Sequence, residues 1–264
     1  MRKHIITISI VLLFLMGLSI ILYPSVSSRI NARNQSRVIS QYDAALAALD
    51  NEVNKRLMNE AREYNRLLRE NANRYNLTAE DWARYFEMLD VTGSGIMGHI
   101  EIDKIAVRLP IYHGTDESVL QIGAGHLEWT SLPVGGPGTH SAITAHTGLP
   151  SSELFTKLDR LKLGDTFVLR ILKEEFTYKV NQILIVDPSD ISALNIEANM
   201  DYSTLITCTP YGINSHRLLV RGVRVPNAGA AFEFDISSFE NGLMAFLMLL
   251  ALLFIAYQYL KKKS

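Results

Sequence analysis

GHIEIDKIAVRLPIYHG, residues 98–114, decides the fold. Ile100 and Ile102, then Ile105, Val107, Leu109 and Ile111, recur at every second position. That is the period of a β-strand with one half-buried face. Immediately upstream, VTGSGIMG (91–98) breaks any helix with glycines. Before it, from Ser36 to about Asn71, the apolar residues Tyr42, Leu46, Leu49, Val53, Leu57, Ala61, Tyr64 and Leu68 follow steps of three and four. This predicts one amphipathic helix that packs on the domain, since the spacing is nearer a straight helix than a strict heptad seam. Asn76–Leu89 predicts a second, short helix with Thr78 as N-cap and Asp81 in a capping-box position.

Downstream the strand pattern continues. SLPVGGPGTHSAITAHTGLP (131–150) holds a glycine-proline turn and a short strand, and DTFVLRILKEEFTYKVNQILIVDP (165–188) reads as a hairpin turning near Lys173–Glu175 and continuing into a third strand. STLITCTP (203–210) and HRLLVRGVRVP (216–226) are the last two. Short strands at close spacing with turn signals between them predict a mainly β chain, a barrel or a sandwich.

The ends are different. Ile5–Tyr23 is uncharged and almost wholly apolar, and Gly242–Leu260 is a second such run. Each is long enough to cross a hydrocarbon core of roughly 30 Å. The first reads as a retained anchor rather than a cleaved signal, because the apolar run is long and no small-x-small site follows. Arg2 and Lys3 precede the first run and Lys261–Lys263 follow the second, so both termini are expected in the cytoplasm. The expected organisation is an anchor at 1–24, a helical region at 25–95, a β domain at 96–226, a linker at 227–241 and a second anchor at 242–264. A formal net charge of −1 argues against a nucleic-acid partner.

Cys208 is the only cysteine in the chain, so it is either a core filler or a nucleophile. Thr207 and Thr209 flank it, and Arg217 begins the adjacent strand nine residues on. With YGINS as the connection, the two lie at the same end of neighbouring antiparallel strands. An arginine there suits an oxyanion, being permanently charged with several donors. For the base, His146 ends a short strand in AITAHTGLP, and His140 and His216 compete with it.

TLITC resembles the TLxTC signature of sortases, the membrane-bound cysteine transpeptidases. MGHIEIDKI, LPIYHGT, GAGHLEWTSLPVGG, THSAITAHTGLPSSELFTKLDRLKLGD and TCTPYGINSHRLLVRG are similar to the class C, pilus-assembling branch. The matching stretches lie between about residues 96 and 224, and the double anchor is similar to that branch too. The resemblance implies a sortase-type closed β-barrel with N-terminal helices, flanked by two transmembrane helices. It implies Cys208 as nucleophile, His146 as acid/base and Arg217 as transition-state stabiliser, with no cofactor. It further implies an LPxTG-type sorting signal on a pilin as substrate, cut between Thr and Gly, and a lysine amine of another pilin as acceptor. Anchoring to cell-wall peptidoglycan is the alternative acceptor chemistry, and a sortase-like binding scaffold without chemistry is the non-enzymatic one. Class C sortases usually carry a lid with Asp-Pro followed by an aromatic. Here Glu80-Asp81-Trp82 stands without proline, so Asp81 and Trp82 are the candidates for that role. Leu205 and Thr207, close to the cysteine, are the candidates for substrate contact.

Overall fold

A computed structural model describes residues 2–227. The linker from 228 and the second apolar run, 242–264, lie outside the described residues. Helix α1 (Arg2–Ala48) is followed by α2 (Asn51–Glu70) and α3 (Ala79–Glu87). Then come β1 (Ile96–Ile102), β2 (Val107–His113), α4 (Glu117–Leu120), β3 (Ala124–His126), β4 (Thr139–Thr144), β5 (Thr166–Ile171), β6 (Glu174–Val186), β7 (Asp201–Thr209) and β8 (His216–Val225). The strands close into a barrel in the order β1-β2-β3-β4-β7-β8-β6-β5.

The 98–114 stretch forms two strands, turned at Asp103–Ala106, where Ala106 takes a left-handed conformation. Its alternation has a different meaning from the one expected. Ile100, Ile102, Leu109 and Ile111 fill the barrel, but β1 is buried on both faces because α1 lies over the outside. Beneath α1, Glu101 is 7% exposed and receives Arg108 at 3.1 Å and Arg170 at 2.8 Å. Burial alone would raise its pKa. The neighbouring His99, the Arg170 hydrogen bond and the Arg170 charge outweigh that and hold it down at about 2.

Two further expectations are corrected in detail. The helix predicted over 36–71 is two helices, because Asp50 turns the chain and caps α2 through the amides of Glu52 and Val53. The apolar stripe still packs on the barrel, with Tyr42, Leu46, Ala61, Tyr64 and Leu68 all buried. The third strand expected inside 165–188 is the continuation of β6, which absorbs an irregularity between Val180 and Gln182 without ending. The three-residue β3 has no periodic signal and is held in place by its neighbours. The short helix at 79–87 has the expected capping box, Thr78 with Asp81.

Polar side chains fasten the helices. The hydroxyl of Tyr42, 1% exposed, donates to the Met97 carbonyl at 2.8 Å and accepts from the Leu172 amide at 2.9 Å. Asn65 makes a two-way bond with the backbone of Leu132, at 2.7 and 3.0 Å. Tyr42→Phe strands one buried acceptor and one buried donor. It is expected to cost about 1–3 kcal/mol, measured by denaturant unfolding of the variant against the parent chain.

Candidate active site

Strand β7 is central to the site, with β4 parallel on one side and β8 antiparallel on the other. Side chains alternate across a strand, so parity along β7 assigns each residue to a face. Leu205 belongs to the barrel core together with Ile143, Leu218 and Val220. Ile206 belongs to a separate outer cluster with Ala142, Leu219 and Leu194. Cys208 is two residues beyond Ile206 and therefore on the outer face. Its direct partner on β8 is Arg217, two residues before Leu219, and that side chain takes the same face.

The third residue arrives by the same register. Thr144 pairs with Ile206, and beyond that pair the two chains stay joined. The Ala145 amide donates to the Ile206 carbonyl at 3.2 Å, and the Thr207 hydroxyl donates to the Ala145 carbonyl at 2.8 Å. Two steps past Thr144 and Ile206 stand His146 and Cys208. The structure thus brings His146, Cys208 and Arg217 to one level on one face of three adjacent strand ends. Cys208 is partly exposed, as a nucleophile requires. The guanidinium of Arg217 uses only Nη1, toward the carbonyls of Asn214 and His216 at 3.3 and 3.2 Å. Its other donors have no partner among the described residues.

The competing histidines are placed elsewhere. His140 is fully buried, its ring nitrogens 2.9 Å from the Asn195 carbonyl and 2.7 Å from Thr204 Oγ1. Burial pushes its pKa down to about 4. His216 pairs with Thr209, which puts it on the opposite parity from Arg217, beside Ser215.

Of the four candidates for lid and substrate contact, Leu205 and Thr207 are not on this face, and Asp81 and Trp82 have their hydrogen bonds and ring contacts within their own helix and its cap. Leu205 is 0% exposed inside the barrel, and Thr207 is 3% exposed with its hydroxyl spent on Ala145. Thr207 fixes the loop that carries His146 instead. The Asp81 carboxylate caps α3, accepting from Thr78 at 2.7 and 2.9 Å, and Trp82 stacks on Phe86 at 5.5 Å. No described hydrogen bond or ring contact joins either residue to Cys208, His146 or Arg217.

Sequence reasoning missed two parts of the site. The first is Glu117 on α4, whose carboxylate lies 3.2–3.3 Å from Nε2 of His146. A hydrogen bond from Gln121, and then the nearby His146 ring, hold the Glu117 carboxyl below the usual carboxylate range. Nothing in the chain links position 117 to 146; only the fold does. The carboxylate is largely solvent-exposed, so its influence is screened. Glu117→Gln is expected to change turnover by on the order of fivefold at most, the gap narrowing as salt rises. Steady-state rates at two ionic strengths check this.

The second is a groove of ≈ 280 Å³ that Arg217 helps to line, while Cys208 and His146 are not among its lining residues. Its floor is the outer cluster, Ile206 and Leu219, and its far wall is Ile191 and Leu194 from the β6–β7 loop. Trp129 closes one side, and Tyr75 from the α2–α3 connection packs on Trp129 at 5.3 Å. A larger cleft of ≈ 600 Å³ lies between α2 and α3, walled by Glu52, Lys55, Arg56 and Glu60, and contains none of these three residues.

Residues 100–225 match the Sortase domain family. Sortase C1 of Streptococcus agalactiae is 47% identical at a TM-score of 0.71, covering 73% of this chain and 100% of that one. Sortase C of Streptococcus pneumoniae is 42% identical at a TM-score of 0.66, covering 74% and 100%. Sortase D of Bacillus subtilis is 30% identical over 131 residues, 48% of this chain, and the chain spans 63% of its length. The closed eight-stranded barrel, the strand-end cysteine beside an arginine, and these likenesses lead to one conclusion: the chain belongs to the sortase family, with class C sortases as its structural neighbours.

Proposed function

We propose that this chain is a membrane-anchored cysteine transpeptidase acting on LPxTG-type sorting signals of pilins. The observation that carries the reading is the strand register that sets Cys208 opposite Arg217, with His146 two residues past the Thr144–Ile206 pair, next to a groove that Arg217 lines. The groove floor suits the leucine and proline of such a signal, with the scissile carbonyl delivered beside Arg217. The Cys208 thiolate attacks the threonine carbonyl carbon, and Arg217 faces the negative oxygen that forms. The C–N bond to glycine then breaks as His146 gives a proton to the departing amine. A thioester remains. A lysine amine attacks it, His146 takes a proton from that amine, and the thiolate leaves. One amide is exchanged for another, so no nucleotide is needed.

The pilin part of the reading is supported by the class C neighbours, one of which is described in terms of pilin substrate specificity. The anchor part rests on α1, the one described helix long and apolar enough to cross a membrane. The test is intact-mass spectrometry of the full chain with an LPxTG peptide, with and without a lysine-bearing pilin peptide. An acyl adduct on Cys208 discharged preferentially by the lysine peptide supports the reading. Discharge only by cell-wall amines indicates an anchoring sortase, and the absence of any adduct with a folded chain overturns the enzyme.

A further inference from the structure

We propose that the β7–β8 loop rests in the headgroup layer of the bilayer through Tyr211 and Ile213, so that the active site opens at the membrane surface. The inference rests on the reading of α1 as a membrane anchor and adds an orientation and a lipid contact to it. The apolar run of α1 ends at Tyr23, and the helix continues without a break to Ala48. Its first bonds to the barrel are from Ser27 and Asn31 to the Ser151 carbonyl, at 3.4 and 2.7 Å, and from Gln35 to the Ile122 carbonyl at 3.1 Å. Those side chains stand about 6, 12 and 18 Å beyond Tyr23 along the helix axis. The far end of α1 meets the opposite end of the barrel, where Lys173 Nζ donates to the Leu49 carbonyl at 2.6 Å. Lys173 lies in the β5–β6 hairpin, and Val186, the partner of Arg217, is ~40 Å further along β6. So α1 runs along the barrel with the catalytic end toward the bilayer. Pro24 lies inside this helix, and a bend there of the size proline imposes would tilt the arrangement without reversing it.

The apolar surface is distributed accordingly. Tyr211 and Ile213 are 69% and 73% exposed, more than any other described large apolar side chain outside α1. They lie in the loop that follows Cys208. The ring of Tyr211 sits against Gly148, where an added Cβ would stand 3.2 Å from Cε2, in the same loop as Ser151. A short path of contacts therefore leads from Ser27 to Ser151, Gly148 and Tyr211. Ile122, which receives Gln35, is a third exposed apolar residue at this end. The opposite hairpin carries Lys173, Glu174 and Glu175. The headgroup layer is about 5–7 Å deep on each side of the core, within reach of a loop fastened one to two turns above it. Tyrosine, with an apolar ring and a polar hydroxyl, is among the residues that membrane interfaces favour.

Single-cysteine variants of the full chain test this in the Cys208→Ala background. Cysteine is placed at Ile213, at Tyr211, at Leu15 in the anchor and at Glu174 on the distal hairpin, each labelled with an environment-sensitive fluorophore. The chains are reconstituted into phosphatidylcholine–phosphatidylglycerol vesicles, with and without spin-labelled lipids. The expected result is strong quenching by acyl-chain labels at position 15, quenching by headgroup labels at 211 and 213, and none at 174. Position 15 quenched with 211 and 213 as dark to lipid as 174 overturns the lipid contact and leaves the anchor standing. If those two labels then respond to an added LPxTG peptide, the loop contacts substrate instead. No quenching at position 15 removes the anchor reading, and the lipid contact falls with it.

Discussion

Cys208→Ala is expected to abolish acyl transfer altogether, a loss on the order of 10⁶ in turnover for removal of a nucleophile that acts as part of a unit. The substitution removes one partly exposed sulfur at a strand end, so the barrel has little to lose with it. Folding and groove binding are expected to persist: the variant should still take up an LPxTG peptide while forming no thioester. Mass spectrometry for the adduct and fluorescence titration for binding separate the two. Retained product formation by Cys208→Ala would refute the mechanism. A variant that neither binds nor reacts but melts at the parent temperature would instead place Cys208 in the groove as a contact.

Arg217 gives the second large effect. It is the register partner of Cys208, and only one of its nitrogens is engaged within the described structure. Removing a donor aimed at a developing oxyanion costs about 10²–10³ in turnover, so Arg217→Ala is expected to fall by that factor with a smaller change in KM. Arg217→Lys keeps the charge and loses the planar fork. It is expected to recover only a small part of the loss, because a single ammonium cannot hold the oxygen from two directions. Full recovery by lysine would reduce Arg217 to a point charge that attracts the substrate. Single-turnover acylation rates decide between these outcomes without interference from the acceptor step.

The readable parts of the site share a physical origin. Cys208 and Arg217 are nine residues apart across one hairpin, so the YGINS connection already brings them together. His146 was set before His140 and His216 by its place at a strand terminus and by resemblance, and the structure places the three differently. His140 lies on the outer face as well, but deep under the β6–β7 loop with both nitrogens occupied. His216 has the wrong parity. Leu205 and Thr207 show the converse error. They lie three residues and one residue from Cys208 along β7, yet a strand turns residues at odd spacings to the other face, so proximity along the chain misleads there.

From its order of residues alone, this protein reads as a β-barrel with helices before it, a single strand-end cysteine and an apolar N-terminal segment. Those features depend on period, capping and short connections, which act over a few residues. Three things were decided only by the tertiary structure. The parallel pairing of β4 with β7 sets His146 beside Cys208 across 62 residues of chain. Glu117 reaches His146 from another element, and the groove floor joins residues of β7 and β8 to those of the β6–β7 loop. Barrel closure makes these contacts, and closure depends on strand order and register. Those are settled by the burial of the whole core at once, and no local stretch encodes them.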